Sequence, residues 1–366
     1  MVFIPNFLIT SFKQEVNPLN MIEKIGIDKS ALPVEGQVEL IKPATLKEYI
    51  AIIRPDNWVK NVFMVPGMLF ALSIFHTPFT FLLLSKIVIG IISICLIASS
   101  NYVINEYLDK AFDKYHPLKK SRSSVVTVIN PAILYLEYAV LAIIGLALAF
   151  YVSQKFFSMA FFLLVMGVIY NVKPFRSKDR VFLDVLSESI NNPIRFAAGW
   201  FIFSPALGVP DSKWDLNWIN TFPPISIIIA YWMGGAFLMA TKRFAEYRLI
   251  ANPEIAGQYR RSFRYYTENS LLVSMFFYAI TSAFFLGIFL IKDRIELLAS
   301  FPFFALLFSW YLKIGLLTDS PVQGSEKLYT RKWFMLYLVL FTTLLCVLMF
   351  VKIPWLHWFL QNANNY

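Results

Sequence analysis

Apolar runs of about 17–25 residues recur along this chain, and that is the length of helix needed to cross a hydrocarbon layer about 30 Å thick. Nine can be marked, at 61–77, 82–105, 131–152, 156–172, 184–204, 223–242, 269–291, 298–317 and 333–352. With no water to satisfy backbone N–H and C=O groups, such runs must fold as helices. The implied class is all-α, a polytopic membrane bundle of nine transmembrane helices. The fifth run is the exception, because Asp184, Glu188, Asn191, Asn192, Pro193 and Arg195 lie within it. Polar side chains at that depth must face protein or a watered cavity, so the fifth span marks a polar interior.

The remaining composition agrees. With 58% hydrophobic and 15% charged residues, the chain is too apolar for an ordinary soluble domain. A net charge of +10 then reads as cytoplasmic loops beside anionic headgroups, and nucleic acid is not an expected partner. Cys95 and Cys346 both fall inside apolar runs, which gives neither a disulfide framework nor a thiolate metal site. Residues 1–45 lack the succession of basic region, apolar core and cleavage site that marks a signal peptide. They are read as an N-terminal extension of unknown role, ahead of a transmembrane catalytic domain at 46–366.

Basic residues alternate between the two sides of the nine spans. Lys110, Lys114, Lys119, Lys120 and Arg122 follow the second span, Lys173, Arg176, Lys178 and Arg180 the fourth, and Arg248, Arg260, Arg261 and Arg264 the sixth. The segment around His76 is uncharged, and residues 205–222 offer only Asp211, Lys213 and Asp215. The positive-inside rule therefore places the N-terminus in the cytoplasm and the C-terminus outside, in a multi-pass protein of the inner or plasma membrane. It also gathers the charge-rich helix ends on the cytoplasmic face, where phosphorylated metabolites are made.

At that face, Asn105, Asp109 and Asp113 are spaced four apart at the end of the second span, with Glu106 beside them. On a continuing helix they share one face. Clustered carboxylates favour Mg²⁺, which binds through one or two carboxylates together with substrate phosphates. A solvated helix end with incidental acids is the plainer alternative. His116-Pro117-Leu118-Lys119-Lys120-Ser121-Arg122 follows, a set of cations able to clamp phosphate oxygens, although a positive-inside loop explains it equally well. His116 by itself identifies neither a base nor a ligand. Arg54 and Lys60 flank Trp58 before the first span, and Lys242, Arg243 and Glu246 close the sixth. Asp184 and Glu188, one turn apart, suit either a second Mg²⁺ or internal ion pairs. Gly-rich phosphate loops, His clusters and serine-nucleophile motifs are missing, which leaves metal, cations and cavity to carry any chemistry.

Arg54-Pro-Asp-Asn-Trp-Val-Lys-Asn61, Asn105-Glu-Tyr-Leu-Asp109-Lys-Ala-Phe-Asp113 with His116-Pro117, and Lys242-Arg243-Phe-Ala-Glu246 together resemble the UbiA-type superfamily of membrane prenyltransferases. Within it they are most similar to the branch of decaprenyl-phosphate phosphoribosyltransferases, over about residues 50–350. The resemblance implies a UbiA-type bundle with a cytoplasm-facing polar cavity. It also implies Mg²⁺-dependent transfer of 5-phosphoribose from phosphoribosyl diphosphate to a polyprenyl phosphate such as decaprenyl phosphate. Carried over by position, Asn105, Glu106, Asp109 and Asp113 would bind the metal, Glu106 standing where aspartate is more usual. Asp109, Asp113, Lys60 and Arg122 would be the catalytic set. Arg54, Lys60, Lys119, Lys120 and Arg122 would lie near the donor's phosphates. Tyr170, Lys173, Asp184, Arg195, Lys242, Arg243 and Glu246 would complete the substrate cavity. Ser123 replaces the family's usual proline after Arg122. The expected partners are the two substrates and the lipid bilayer, with a homo-oligomer left open. The rival reaction is prenyl transfer from a polyprenyl diphosphate to an aromatic or other acceptor, using the same metal motif.

Overall fold

The computed structural model describes residues 42–75, 78–203, 221–323, 328 and 330–361. Residues 1–41 of the N-terminal extension, His76, and residues 205–220 of the loop before the sixth span lie outside the described residues. Helix α1 (Leu46–Ile53) opens on a capping box in which Thr45 and Glu48 satisfy each other's exposed N–H groups. It stops at Arg54, whose φ of 57° places a bulky residue in the left-handed region. A 3₁₀ stretch, Pro55–Met64, runs on into α2 (Val65–Phe75), and the three form one spanning stretch of 30 residues.

Helix α3 (Phe81–Asp113) has 33 residues. At 1.5 Å per residue it is about 50 Å long, more than a hydrocarbon core needs, so its last turns carry Asn105 to Asp113 beyond the lipid. A short α4 (Ser123–Val126) follows. Ser123 is its first residue, a position where proline is also favoured, so the missing proline costs this turn little. Helices α5 (Pro131–Val152) and α6 (Gln154–Asn171) fold back on each other through Ser153, whose hydroxyl accepts the Phe156 N–H at 3.2 Å. Then come α7 (Leu183–Ser189), α8 (Asn191–Phe201), α9 (Ile225–Ile250), α10 (Pro253–Tyr259), α11 (Glu268–Asp293), α12 (Phe301–Gly315), α13 (Lys332–Phe350) and α14 (Pro354–Gln361).

Eight stretches among the described residues are long and apolar enough to cross a membrane, and each overlaps one of the nine expected spans. The remaining expectation, 184–204, is formed by two consecutive shorter helices, α7 and α8, parted at Ile190. Pro193 explains the break, since it has no N–H to offer the Ser189 carbonyl one turn back. From Asn192 to Phe201 every residue of α8 is buried. The element is wrapped by other helices, and that is why its polarity is tolerated.

Lipid does not drive apolar helix faces together, so packing depends on close approach. Gly67 and Gly199 supply it where α2 crosses α8. A Cβ on Gly67 would sit 1.9 Å from the Phe196 carbonyl oxygen, and one on Gly199 2.1 Å from that of Met64. Met64, Ile94, Ile97, Phe156 and Phe201 fill the core on this side, while Phe237, Phe244, Leu271 and Met275 fill a second core between α9 and α11. Phe276, Phe284 and Leu340 point outward, with more than half of their surface exposed, as a lipid solvent allows.

Candidate active site

At one end of the bundle, α3 remains helical through Asp113, so its polar residues keep the four-residue spacing. Each meets a different partner. Asp109 Oδ1 lies 2.6 Å from Lys178 Nζ and 3.0 Å from Arg176 Nη2. Asp113 Oδ2 lies 2.5 Å from Arg122 Nη1. Buried Glu106 accepts the Ser124 hydroxyl at 3.3 Å. Asn105 donates to Asn171 Oδ1, which also accepts from Lys178 at 2.7 Å. Burial pushes Lys178 down to about 8, against the pull of Asp109 and with Arg176 adding to the burial. For Arg122, burial opposes the charge, but Asp113 and Glu106 outweigh it and hold the pKa above its ordinary value.

The centre of the arrangement is Arg243, fully buried on α9. Its guanidinium reaches Glu246 at 2.9 Å and Asp184 at 3.4 Å, pairs closely with Glu188, and donates to the Tyr170 hydroxyl at 3.2 Å. Arg260 donates to the same hydroxyl at 3.2 Å and approaches Asp184 at 3.8 Å. Asp184 also accepts from Tyr266 at 2.7 Å and Ser262 at 3.2 Å. Lys119 closes the set, bonded to Glu246 at 2.8 Å and to the Tyr259 hydroxyl. Burial opposes the Lys119 charge, yet Glu246 beside it keeps the pKa above the usual lysine value. Three cations thus balance three carboxylates. The ion-pair alternative for Asp184 and Glu188 describes this structure, with Arg243 as their common partner.

Four further cations lie close by without a direct ion pair. Arg54 and Lys60 both stand over the Tyr102 ring, at 5.6 and 5.8 Å from its centroid. Arg195 donates to Asn61 Oδ1 at 2.8 Å and to the Asn191 carbonyl at 3.2 Å. Lys242 lies within electrostatic reach of Glu246 and Glu188, and also of Lys60 and Lys119. Among the described residues none of the four has an ion pair. Cations without a direct ion pair are costly at a membrane protein's interior, and a cluster of them can accommodate an anion.

The expected site residues therefore largely converge, with two standing apart. Lys120 is exposed and makes no side-chain contact with the cluster. Lys173 is exposed too and lines an outer hollow of about 570 Å³ with Arg176, Arg180 and Arg261, of which only Arg176 reaches Asp109. The sequence reading omitted Arg176, Lys178, Arg260, Tyr259 and Tyr266 from the site. Arg176, Lys178 and Arg260 were visible as loop charges; nothing local distinguished the tyrosines from the many others. His116 is buried beside this network, edge-on to Tyr259 at 4.6 Å, with Nδ1 accepting the Leu118 N–H at 3.1 Å. Burial, aided by Lys119, lowers its pKa to about 3, so it is neutral and its Nε2 carries the proton.

Among the described residues no three acidic, His or Cys side chains gather closely enough to hold a metal by themselves. The donors still fit Mg²⁺, a hard ion that takes oxygen ligands and needs only one or two carboxylates when substrate phosphates supply the rest. Asp109 and Asp113 already face cationic groups, which is the electrostatic role such an ion would share.

The UbiA prenyltransferase family model matches residues 62–329. The decaprenyl-phosphate phosphoribosyltransferase of Mycolicibacterium smegmatis is 26% identical over 246 residues, which is 67% of this chain and 71% of that protein. Its namesake from Mycobacterium tuberculosis is 29% identical over 222 residues, 61% of this chain and 67% of that one. Among solved structures, a UbiA homolog from Archaeoglobus fulgidus bound to DMAPP and Mg²⁺ is similar with a TM-score of 0.58 at 18% identity, covering 83% of this chain and 100% of that one.

Proposed function

From the premise that this chain belongs to the UbiA prenyltransferase family and is a multi-pass membrane transferase, we propose that it moves 5-phosphoribose from phosphoribosyl diphosphate to a polyprenyl phosphate at the cytoplasmic face. The observation that carries this reading is the set of four cations, Arg54, Lys60, Arg195 and Lys242, none of which has an ion pair among the described residues, with Arg54 and Lys60 over the Tyr102 ring. Both substrates of this reaction carry phosphates, and the arrangement suits several phosphate groups held at once. The names of the related phosphoribosyltransferases support the same choice.

In the proposed step a lipid-phosphate oxygen attacks C1 of the ribose and the C1–O bond to diphosphate breaks, the bonding pair leaving with the diphosphate. The nucleophile is already an anion at neutral pH, so no general base is needed. Neutral His116 is consistent with that, being unsuited to take or give a proton near pH 7. Lys60, Lys242, Arg54 and Arg195 orient the phosphates and fix the donor against the acceptor. Arg243 acts indirectly, holding Asp184, Glu188 and Glu246 in place. Asp109 and Asp113, with Asn105 and Glu106 beside them, would hold Mg²⁺, which neutralises the departing diphosphate when bound.

The test is to incubate the purified protein in detergent with Mg²⁺, labelled phosphoribosyl diphosphate and a polyprenyl monophosphate, then extract the lipids. Label in the lipid phase is expected. An unlabelled lipid phase, with the same preparation consuming a polyprenyl diphosphate in the presence of an aromatic acceptor, would make the protein a prenyl transferase instead.

A further inference from the structure

At the same end of the bundle, but on its outer side, the C-terminal end of α12 and the start of α13 border an open cavity of about 480 Å³. Gly315 packs on Thr241 of α9, and Arg248 donates to the Leu316 carbonyl at 3.1 Å, which fixes this corner beside the end of α9 that carries Lys242 and Glu246. Lys313, Arg331 and Lys332 line the cavity with Trp310, Trp333 and Leu317. None of the lining residues is acidic, and none of the three cations has an ion pair among the described residues. Trp310 is held by Phe334 at 5.7 Å and Tyr337 at 5.5 Å, while Trp333 is 77% exposed. Leu316 and Leu317 are also exposed, so an apolar surface adjoins the cationic mouth.

We propose that this cavity binds the phosphate headgroup of an anionic phospholipid of the surrounding bilayer. Charge complementarity identifies the guest: three neighbouring cations with no acidic residue among the lining favour an anion. The location identifies its carrier, because tryptophans and leucines beside the cations match the boundary between headgroups and acyl chains. The long side chains of Lys313 and Lys332 can lie along apolar surface and keep their ammonium groups at phosphate depth. A soluble phosphate would use the cations and leave the exposed Trp333, Leu316 and Leu317 without a role. The bound lipid would brace α12 and α13 against the end of α9.

The experiment is native mass spectrometry of the full chain released from nanodiscs of phosphatidylcholine with a minor fraction of phosphatidylglycerol. The wild type is expected to retain one phosphatidylglycerol more than the triple variant Lys313→Ala, Arg331→Ala, Lys332→Ala. Each cation removed should weaken retention about fivefold, and all three on the order of a hundredfold. Equal retention by the two proteins overturns the proposal. So does preferential retention at this site of a polyprenyl phosphate added in competition, since that would make the cavity an acceptor site. None of the three residues belongs to the catalytic cluster, so unchanged melting of the triple variant in phosphatidylcholine alone confirms that lost retention is not lost folding.

Discussion

Lys242 and Arg243 are neighbours in sequence and opposites in environment. Arg243 is surrounded by Asp184, Glu188 and Glu246, whereas Lys242 has no carboxylate within ion-pair distance. Removing Arg243 would strand three buried acids, so Arg243→Met should cost about 3–5 kcal/mol or abolish folding, read as a lower melting temperature in detergent. Lys242→Met removes a half-buried cation that has no direct ion pair, so its melting temperature should hold within a few degrees while turnover falls roughly ten- to a hundredfold, the loss of one charged contact to phosphate. Unchanged turnover would remove Lys242 from the site. Asp109→Asn and Asp113→Asn should both leave a folded protein without Mg²⁺-dependent turnover, and full activity in either would defeat the metal assignment. His116 gives a pH signature. Its folded pKa of about 3 lies below the ordinary histidine value, so between these the unfolded chain binds the extra proton and stability falls as pH falls. The loss should reach roughly 2 kcal/mol by pH 5, and His116→Gln should flatten that slope in thermal melts.

Helix lengths were legible because lipid imposes them: the run at 131–152 coincides residue for residue with α5, and the other apolar runs fall within a few residues except where polar ends extend them. The stretch that holds the first span begins at Leu46 rather than 61, since Arg54, Asp56, Asn57 and Lys60, at the left-handed break and the 3₁₀ turns that follow, hide its early part from a test of apolarity. The fifth run shows a related effect. A hydropathy pattern distinguishes lipid from water but not lipid from protein, so a buried, broken pair such as α7 and α8 reads as a single imperfect span. Helix α8 owes its position to the crossing at Gly67 and Gly199. Gly199→Ala would set a methyl against the Met64 carbonyl, which is backbone and cannot swing aside. It should lower stability by about 1–3 kcal/mol. Gly287, whose Cβ would meet nothing within 4 Å, is the control, and Gly287→Ala should melt at or above the wild-type temperature. Equal effects at both glycines would show that the close crossing is unimportant.

Across the whole molecule, the residue types of the site were readable and their pairing was not. Lys119 meets Glu246 across 127 positions and Arg176 meets Asp109 across 67, contacts that depend on how α3, α6 and α9 are arranged and on no local pattern. Charge asymmetry, by contrast, is a global property that sequence does carry, and it yields a test of orientation. If the basic end is cytoplasmic, a cysteine at exposed Lys120, after α3, must face inward, and one at Phe79, just before α3 and 69% exposed, must face outward. Buried Cys95 would give little background, and Cys346 can be replaced by serine. A membrane-impermeant maleimide added to intact cells should label Phe79→Cys and spare Lys120→Cys, and inverted vesicles should reverse the result. Both cysteines labelled from one side would mean that α3 does not cross the bilayer, which its 33 residues make hard to sustain. Lys120→Cys labelled from outside, with Phe79→Cys protected, would keep the bundle but turn its cationic site away from the cytoplasm. The phosphoribosyl donor would then be on the wrong side of the membrane, and the proposed reaction would fail while the fold remained intact.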